Sequence, residues 1–364
     1  MKLKDLCSYL DSVVPLSFQE SYDNSGLQVG QPENDITSAL LTIDVTTDVV
    51  NEAVRAGCSL IISHHPVIFG GIKTLTGKTT AERIIISAIK NNVAIYSSHT
   101  NLDNVYNGVS MMLAGKLGLQ NLRILSPNKK KLLKLVTYIP EKHLSRVSEA
   151  LFEAGAGVIG NYDRCGFGVA GTGSFRAGES ANPYAGEIGK THFEKEVRFE
   201  TILFTHLKEK VIAALLDSHP YEEVAYDLYS LENDNINEGS GCIGELDEPV
   251  MEKDFLKMLS SRLDAKGIRH SKTRGKLIQK VALCGGAGSF LLGEAISGKA
   301  DAFVTSDIKY HTFMEAENKI LLVDCGHYET EKFSTEILYD LIVKKFPKFA
   351  VRFSEINTNP VNYF

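Results

Sequence analysis

No two cysteines in this sequence form a CxxC pair. The six present (Cys7, Cys58, Cys165, Cys242, Cys284 and Cys325) are scattered along the chain. That spacing excludes a disulfide framework and a thiolate zinc site, and predicts a reduced, cytoplasmic protein. No apolar run approaches the ~20 residues that a membrane-spanning helix needs, so no membrane association is expected. The first residues, MKLKDLCSYLDSVVP, lack the continuous apolar centre of a signal peptide. Leu3, Leu6, Leu10 and Val14 instead fall at helical spacing and predict an amphipathic helix. Positive charge is not in excess: a net charge of −6 and a pI near 6.0 argue against a dedicated nucleic-acid binder. What is left is an ordinary globular composition, 43% hydrophobic and 23% charged, in 364 residues, enough for two or three units.

The first third alternates strand and helix signals. ALLTIDV (39–45), SLIIS and VAIYSS read as buried strands, and TDVVNEAVRAG and AERIIISAIKNN as the helices between them. Apolar strands separated by helices predict a mostly parallel sheet with helices on its faces. SPNKKK (126–131) breaks the rhythm and reads as a linker. Beyond it, LLKLVTYIP, EKHLSRVSEALFEAG, a glycine-rich stretch, EVRFETILF, HLKEKVIAALLDSH and EEVAYDLYSL follow in the order β-α-β-β-α-β. This is a ferredoxin-like α+β pattern, placed at 128–235. The α/β rhythm then returns with KVALCGG, DAFVTSD and ILLVDCG. Residues 40–65 can be laid over 282–307 without a gap, which sets His64 and His65 opposite Ser306 and Asp307. The expected architecture is a duplicated α/β core, 1–127 and 236–364, interrupted by the insert.

In an open α/β sheet, ligands bind beyond the carboxyl ends of the strands. His64 and His65 leave SLIIS there, and His99 and then Asp103 leave VAIYSS. Asp307 and His311 leave DAFVTS, and His327, Glu329 and Glu331 leave ILLVDCG. Pro66 ends regular pairing, so both rings of the His64–His65 pair can turn to one side. His327 and Glu331 are one helical turn apart. His64, His65, Asp103, His327 and Glu331 make five mixed nitrogen and oxygen ligands, more than one tetrahedral zinc ion uses. They suit two divalent ions with open positions: Zn, Mn or Fe. His99 and His311 are the candidates for moving protons. The turn GGAGS (285–289) lacks the Walker lysine and a full GxGxxG, so an ordinary tight turn is favoured over a phosphate cradle. The seven glycines between 155 and 173 read as loops and a bulged strand.

The segments SYDNSGLQVG (21–30), ISHHPVIF (62–69), SSHTNLDN (97–104), HPYEEVAYD (219–227), TSDIKYH (305–311) and CGHYETE (325–331) resemble the signatures of the NIF-three-like family. Bacterial members are commonly labelled GTP cyclohydrolase 1 type 2 homologues. The resemblance implies a dinuclear metal centre held by His64, His65, Asp103, His327 and a bridging Glu331, with Glu329 as the competing carboxylate. It also implies a PII- or CutA-like insert and a toroidal homohexamer. The activity implied is metal-dependent hydrolysis, opening the guanine imidazole ring of GTP with loss of C8 as formate. Lys73, Lys78 and Lys309 are candidates to hold the triphosphate. The same ligands would suit a phosphoesterase acting on a nucleotide or phosphorylated small molecule, or a non-enzymatic metal-binding or regulatory protein.

Overall fold

A computed structural model of the chain describes residues 1–128, 132–233 and 235–363. These fall into two compact units, one formed by Met1–Pro127 with Asn237–Phe364, the other by Asn128–Ile236. The architecture is mixed α/β, with three sheets among the described residues.

The first unit holds two of the sheets. One is five-stranded, in the order Gly26–Val29, Ala94–Ser97, Leu60–Ser63, Ser38–Thr42, Ala350–Phe353, parallel except for its first strand. Its strands read as continuous apolar runs because helices cover both faces. Leu41, Leu60, Ile62 and Tyr96 pack with the first helix, Leu3–Val13, which buries Leu3, Leu6 and Leu10. Leu40, Ile61 and Ile95 point the other way, against Val49, Val50, Ile84 and Ile85. The other sheet is six-stranded, in the order Arg269–His270, Leu321–Asp324, Ala302–Thr305, Leu277–Leu283, Asn235–Met251, Gln120–Asn128. Its three central strands, Leu277–Leu283, Ala302–Thr305 and Leu321–Asp324, are parallel.

The gapless overlay of 40–65 on 282–307 sets the strand Leu60–Ser63 on the strand Ala302–Thr305. It also sets the helix Thr47–Arg55 on the helical stretch made by Ser289–Leu291 and Leu292–Ser297. The expected linker at 126–131 needs correction: Ser126, Pro127 and Asn128 complete the strand Gln120–Asn128. Proline is tolerated there because this strand is the last in its sheet, where no further neighbour needs its missing N–H. Lys129, Lys130 and Lys131 lie outside the described residues.

In the second unit strand, helix, strand, strand, helix, strand follow one another. The sheet runs Gly166–Arg176, Thr191–Phe204, Leu132–Pro140, Tyr226–Leu231, and every neighbouring pair is antiparallel. The helices Leu144–Glu153 and Lys208–Ser218 set Val147, Leu151, Val211 and Leu215 against Leu133, Leu135, Ile139, Phe199 and Leu203 on one face of the sheet. Among the described residues, no helix is long and apolar enough to cross a membrane. All six cysteines are free thiols.

Candidate metal centre

Parallel register brings the strand ends of the first unit level: Thr42 stands opposite Ser63, Ser63 opposite Ser97, and Thr305 opposite Asp324. The residues leaving these strands therefore arrive at one place. The backbone N–H groups of His64 and His65 bond Thr42 and Ile43 carbonyls, and Pro66 then stops the ladder. Both rings turn to the same side, with centroids 5.1 Å apart. His99 precedes the short helix Thr100–Asn104 that carries Asp103, and its ring lies 5.4 Å from His64 and 5.3 Å from His65. From the other sheet, Gly326 turns the chain into the helix His327–Glu331.

The nitrogens and oxygens converge. Glu331 Oε2 lies 2.9 Å from His65 Nε2, 2.9 Å from His327 Nε2 and 3.7 Å from His64 Nε2. His64 Nε2 lies 3.6 Å from Asp103 Oδ1, and His65 and His327 face each other Nε2 to Nε2 at 3.4 Å. Among the described residues, three groupings, each with ligand atoms within 4.8 Å of one another, could hold a metal ion: His64, His65 and His99; His65, His327 and Glu331; and His64, Asp103 and Glu331. His64 is fully buried, yet its Nε2 and Asp103 Oδ1 have no hydrogen-bond partner among the described residues. Two orphaned polar atoms aimed at each other across 3.6 Å are costly unless a cation lies between them.

Each imidazole is held from behind. His64 Nδ1 bonds the Ser98 carbonyl at 2.8 Å, His65 Nδ1 bonds Asp44 at 2.7 Å, His327 Nδ1 bonds Asp307 at 2.7 Å and His99 Nδ1 bonds Asp23 at 2.8 Å. An acceptor on Nδ1 fixes the ring's orientation and keeps the Nδ1 proton in place, so that Nε2, once it sheds its own proton, is the nitrogen free to ligate a metal. Sequence reasoning missed Asp44 and Asp23 in this role. The signal for Asp44 was present, since it leaves the strand Ser38–Thr42 by the same rule applied to its neighbours. Asp23 carried no positional signal.

The electrostatics follow from this crowding. Burial works against charge on His65, but hydrogen bonds to Asp44 and Glu331 carry its pKa up to about 10. His327 rises to about 9, burial being outweighed by Glu331 and Asp307. His64 is also raised, with Asp103 and Glu331 overcoming complete burial. Burial lifts Asp103 to about 6 against the pull of His64. Glu331 is held well below the carboxylate range despite its burial, by His64, His327 and His65. Protons shared among these groups take the place that a divalent cation would fill. Cys284 also lines the site, but burial pushes its thiol pKa far up and keeps it a neutral wall.

His65, His99, Asp103, His327 and Glu331 line a cavity of about 610 Å³, with Tyr22, Phe69 and Phe290 among its walls. His311 is not brought to it: it sits exposed on the helix Tyr310–Glu315 with its ring against Tyr310. Among the described residues, Lys73, Lys78 and Lys309 do not line it, and neither does any arginine. Glu329 points away from the cluster and accepts from Asn359 Nδ2, leaving Glu331 as the central carboxylate. The turn GGAGS holds no free phosphate cradle, because Gly285, Gly286 and Gly288 donate to Ser110, Thr330 and Thr305 side chains. Gly286 has a different use. Its φ of +59° and its missing Cβ, which would collide with Glu331 Oε1, let the backbone pass beside the central carboxylate.

Imidazoles and carboxylates gathered at the strand ends of an α/β core define a protein built around a candidate metal-ligand cluster. The chain belongs to the Duf34/NIF3 (NGG1p interacting factor 3) family, which it matches over residues 1–360. It is 38% identical over 355 residues to a protein of Halalkalibacterium halodurans named GTP cyclohydrolase 1 type 2 homolog, covering 96% of this chain and 95% of that one. The Bacillus subtilis protein of the same name is 35% identical over 359 residues, with 96% and 95% covered. Among solved structures, a Bacillus cereus protein related to NIF3 superposes with a TM-score of 0.86 at 36% identity, covering 100% of this chain and 99% of that one. A Staphylococcus aureus protein superposes with a TM-score of 0.80 at 31% identity, covering 100% and 99%.

Proposed function

We propose that His64, His65, Asp103, His327 and Glu331 hold a pair of divalent metal ions, Zn, Mn or Fe, in a metal-dependent hydrolase of the GTP cyclohydrolase 1 type 2 kind. One observation carries the reading: His64 Nε2 and Asp103 Oδ1 are buried without hydrogen-bond partners among the described residues and lie beside the oxygen of Glu331 that already meets His65 and His327. Bound there, the ions would supply Lewis acidity for hydrolysis. The chain's own residues do the rest. Asp44 and Asp307 hold His65 and His327 in register. Asp23 fixes Nδ1 of His99 and leaves its Nε2 as the group to carry a proton at the cavity. Tyr22, Phe69 and Phe290 give the cavity apolar walls that suit a ring system.

Among the described residues, the lining contains no lysine or arginine. This favours, as a second reading, a protein that binds metal without turning over a triphosphate, in a regulatory role. On the described lining, a phosphoesterase acting on a nucleotide or phosphorylated small molecule would rely on the metals themselves for cationic contacts. To the second unit we assign a ferredoxin-like, PII- or CutA-like fold as a domain of its own, on the strength of its β-α-β-β-α-β order and antiparallel sheet. A toroidal homohexamer and a cytoplasmic setting complete the proposal, the second in keeping with six free thiols.

The test is metal-loaded protein incubated with GTP and with a panel of phosphoesters, following formate and phosphate. Formate release that disappears in His65→Ala supports the cyclohydrolase. Activity that survives that substitution belongs to a contaminant and removes the hydrolase reading. Stoichiometric metal with no turnover on any substrate supports the regulator.

A further inference from the structure

Two stretches singled out in the sequence take no part in the metal centre: the glycine-rich stretch, whose strand Gly166–Arg176 carries Gly173 and Phe175, and HPYEEVAYD. They meet in the second unit, where Gly173, Phe175, Tyr184, Glu196 and Tyr221 line a cavity of about 460 Å³, a size that suits a small molecule. Tyr221 lies 5.7 Å from Phe175 at an interplanar angle of 60°, and 5.9 Å from Tyr184 at 46°. Rings tilted like this make the walls of a cage. They do not offer the parallel faces between which a planar base would stack.

At the cage lies a carboxylate that the fold takes care to accommodate. Glu196 is 7% exposed, and its Oε1 accepts a hydrogen bond of 2.7 Å from the Tyr221 hydroxyl. Its Oε2 lies over Gly173, where any Cβ would collide with it. Tyr221 is the one donor to this carboxylate among the described residues, so Oε2 is left to accept. The lining's other charges are Glu222, Glu223 and Arg176, all exposed, so acid outnumbers base. A buried carboxylate with a free oxygen, walled by aromatic faces in an acidic cavity, fits a cation that can both donate a hydrogen bond and lie against rings.

We propose that this cavity binds the ammonium end of an organic amine, with Glu196 as its counter-ion and Phe175, Tyr184 and Tyr221 as its cage. The site is independent of the metal centre, and its test is chosen accordingly. Full-length metal-loaded protein is titrated with n-hexylammonium, with hexanol as the neutral isostere and guanosine as the planar base, by ligand-observed NMR and calorimetry. The expected result is saturable binding of the amine at one site per chain, at least ~10-fold tighter than hexanol. Glu196→Gln and, separately, Phe175→Leu each weaken it by about tenfold or more, with metal content and far-ultraviolet circular dichroism unchanged. Phe175→Leu decides the matter alone should Glu196→Gln fail to fold. The proposal is overturned by the absence of saturable binding, by hexanol binding equally well, or by amine binding that Phe175→Leu leaves intact. It is likewise overturned if guanosine binds more tightly than the amine.

Discussion

His65 Nε2 and Glu331 Oε2 are separated by 266 positions in the chain and by 2.9 Å in space. The same oxygen lies 2.9 Å from His327 and 3.7 Å from His64, so one atom ties imidazoles from both sheets of the core. Removing its charge should therefore disturb every other ligand at once. Glu331→Gln is expected to lower metal affinity by at least ~10-fold and to leave the purified protein largely metal-free by elemental analysis. Glu329→Gln should retain full metal content, because Glu329 serves Asn359 instead. Equal loss in both variants would refute the assignment of Glu331.

Metal uptake should release protons. His65 and His327 have pKa values of about 10 and about 9 against an ordinary 6.5, so at pH 7.5 both carry protons that a ligating nitrogen must shed. Calorimetry in buffers of different ionisation enthalpy is expected to count about two protons released per chain. The sign for stability follows from the same shifts. A raised histidine pKa means that charge stabilises the metal-free fold fully below about 6.5, and that this is lost as pH rises through 9 and 10. The melting temperature of metal-free protein should fall across that window, and that of metal-loaded protein should fall less.

Much of this site was legible because chemistry and topology coincide. Apolar runs such as SLIIS declare buried parallel strands, and the carboxyl-end rule then says where to look for His64, His99 and His327. The i, i+4 spacing of His327 and Glu331 on a helical turn could be read directly, and the pair lies 2.9 Å apart. His311 is not brought to the cluster by the same rule. It follows a strand end by six residues, but Asp307 adopts φ +54° and the chain then enters the helix Tyr310–Glu315, which leaves His311 exposed. Asp23 could not be read, since it reaches His99 from a segment whose position depends on packing at residues far along the chain.

Gly286→Ala tests whether the turn GGAGS serves the cluster. The backbone there has φ +59°, and the added methyl would push against Glu331 Oε1. The expected cost is about 1–3 kcal/mol of stability together with loss of metal, seen as a lower melting temperature and an empty elemental analysis. Gly293→Ala, in the following helix with open space around it, is the matched control and should change neither.

The last prediction separates a metal ligand from a proton carrier at His99. Its ring is 5.4 Å from His64, so position alone permits either role. Asp23 accepts from His99 Nδ1 at 2.8 Å, from the backbone N–H of Thr100 at 3.0 Å and from the Thr100 hydroxyl. Losing a buried acceptor with several donors should cost about 1–3 kcal/mol, so Asp23→Ala is expected to melt earlier. If His99 moves protons, His99→Ala keeps its full metal content while any turnover drops by about 10²-fold or more. In Asp23→Ala the ring then loses its fixed Nδ1–H tautomer, which nitrogen-15 chemical shifts report directly. If His99 is a ligand, elemental analysis of His99→Ala shows the loss of an ion, and the proton-carrying role assigned to it fails.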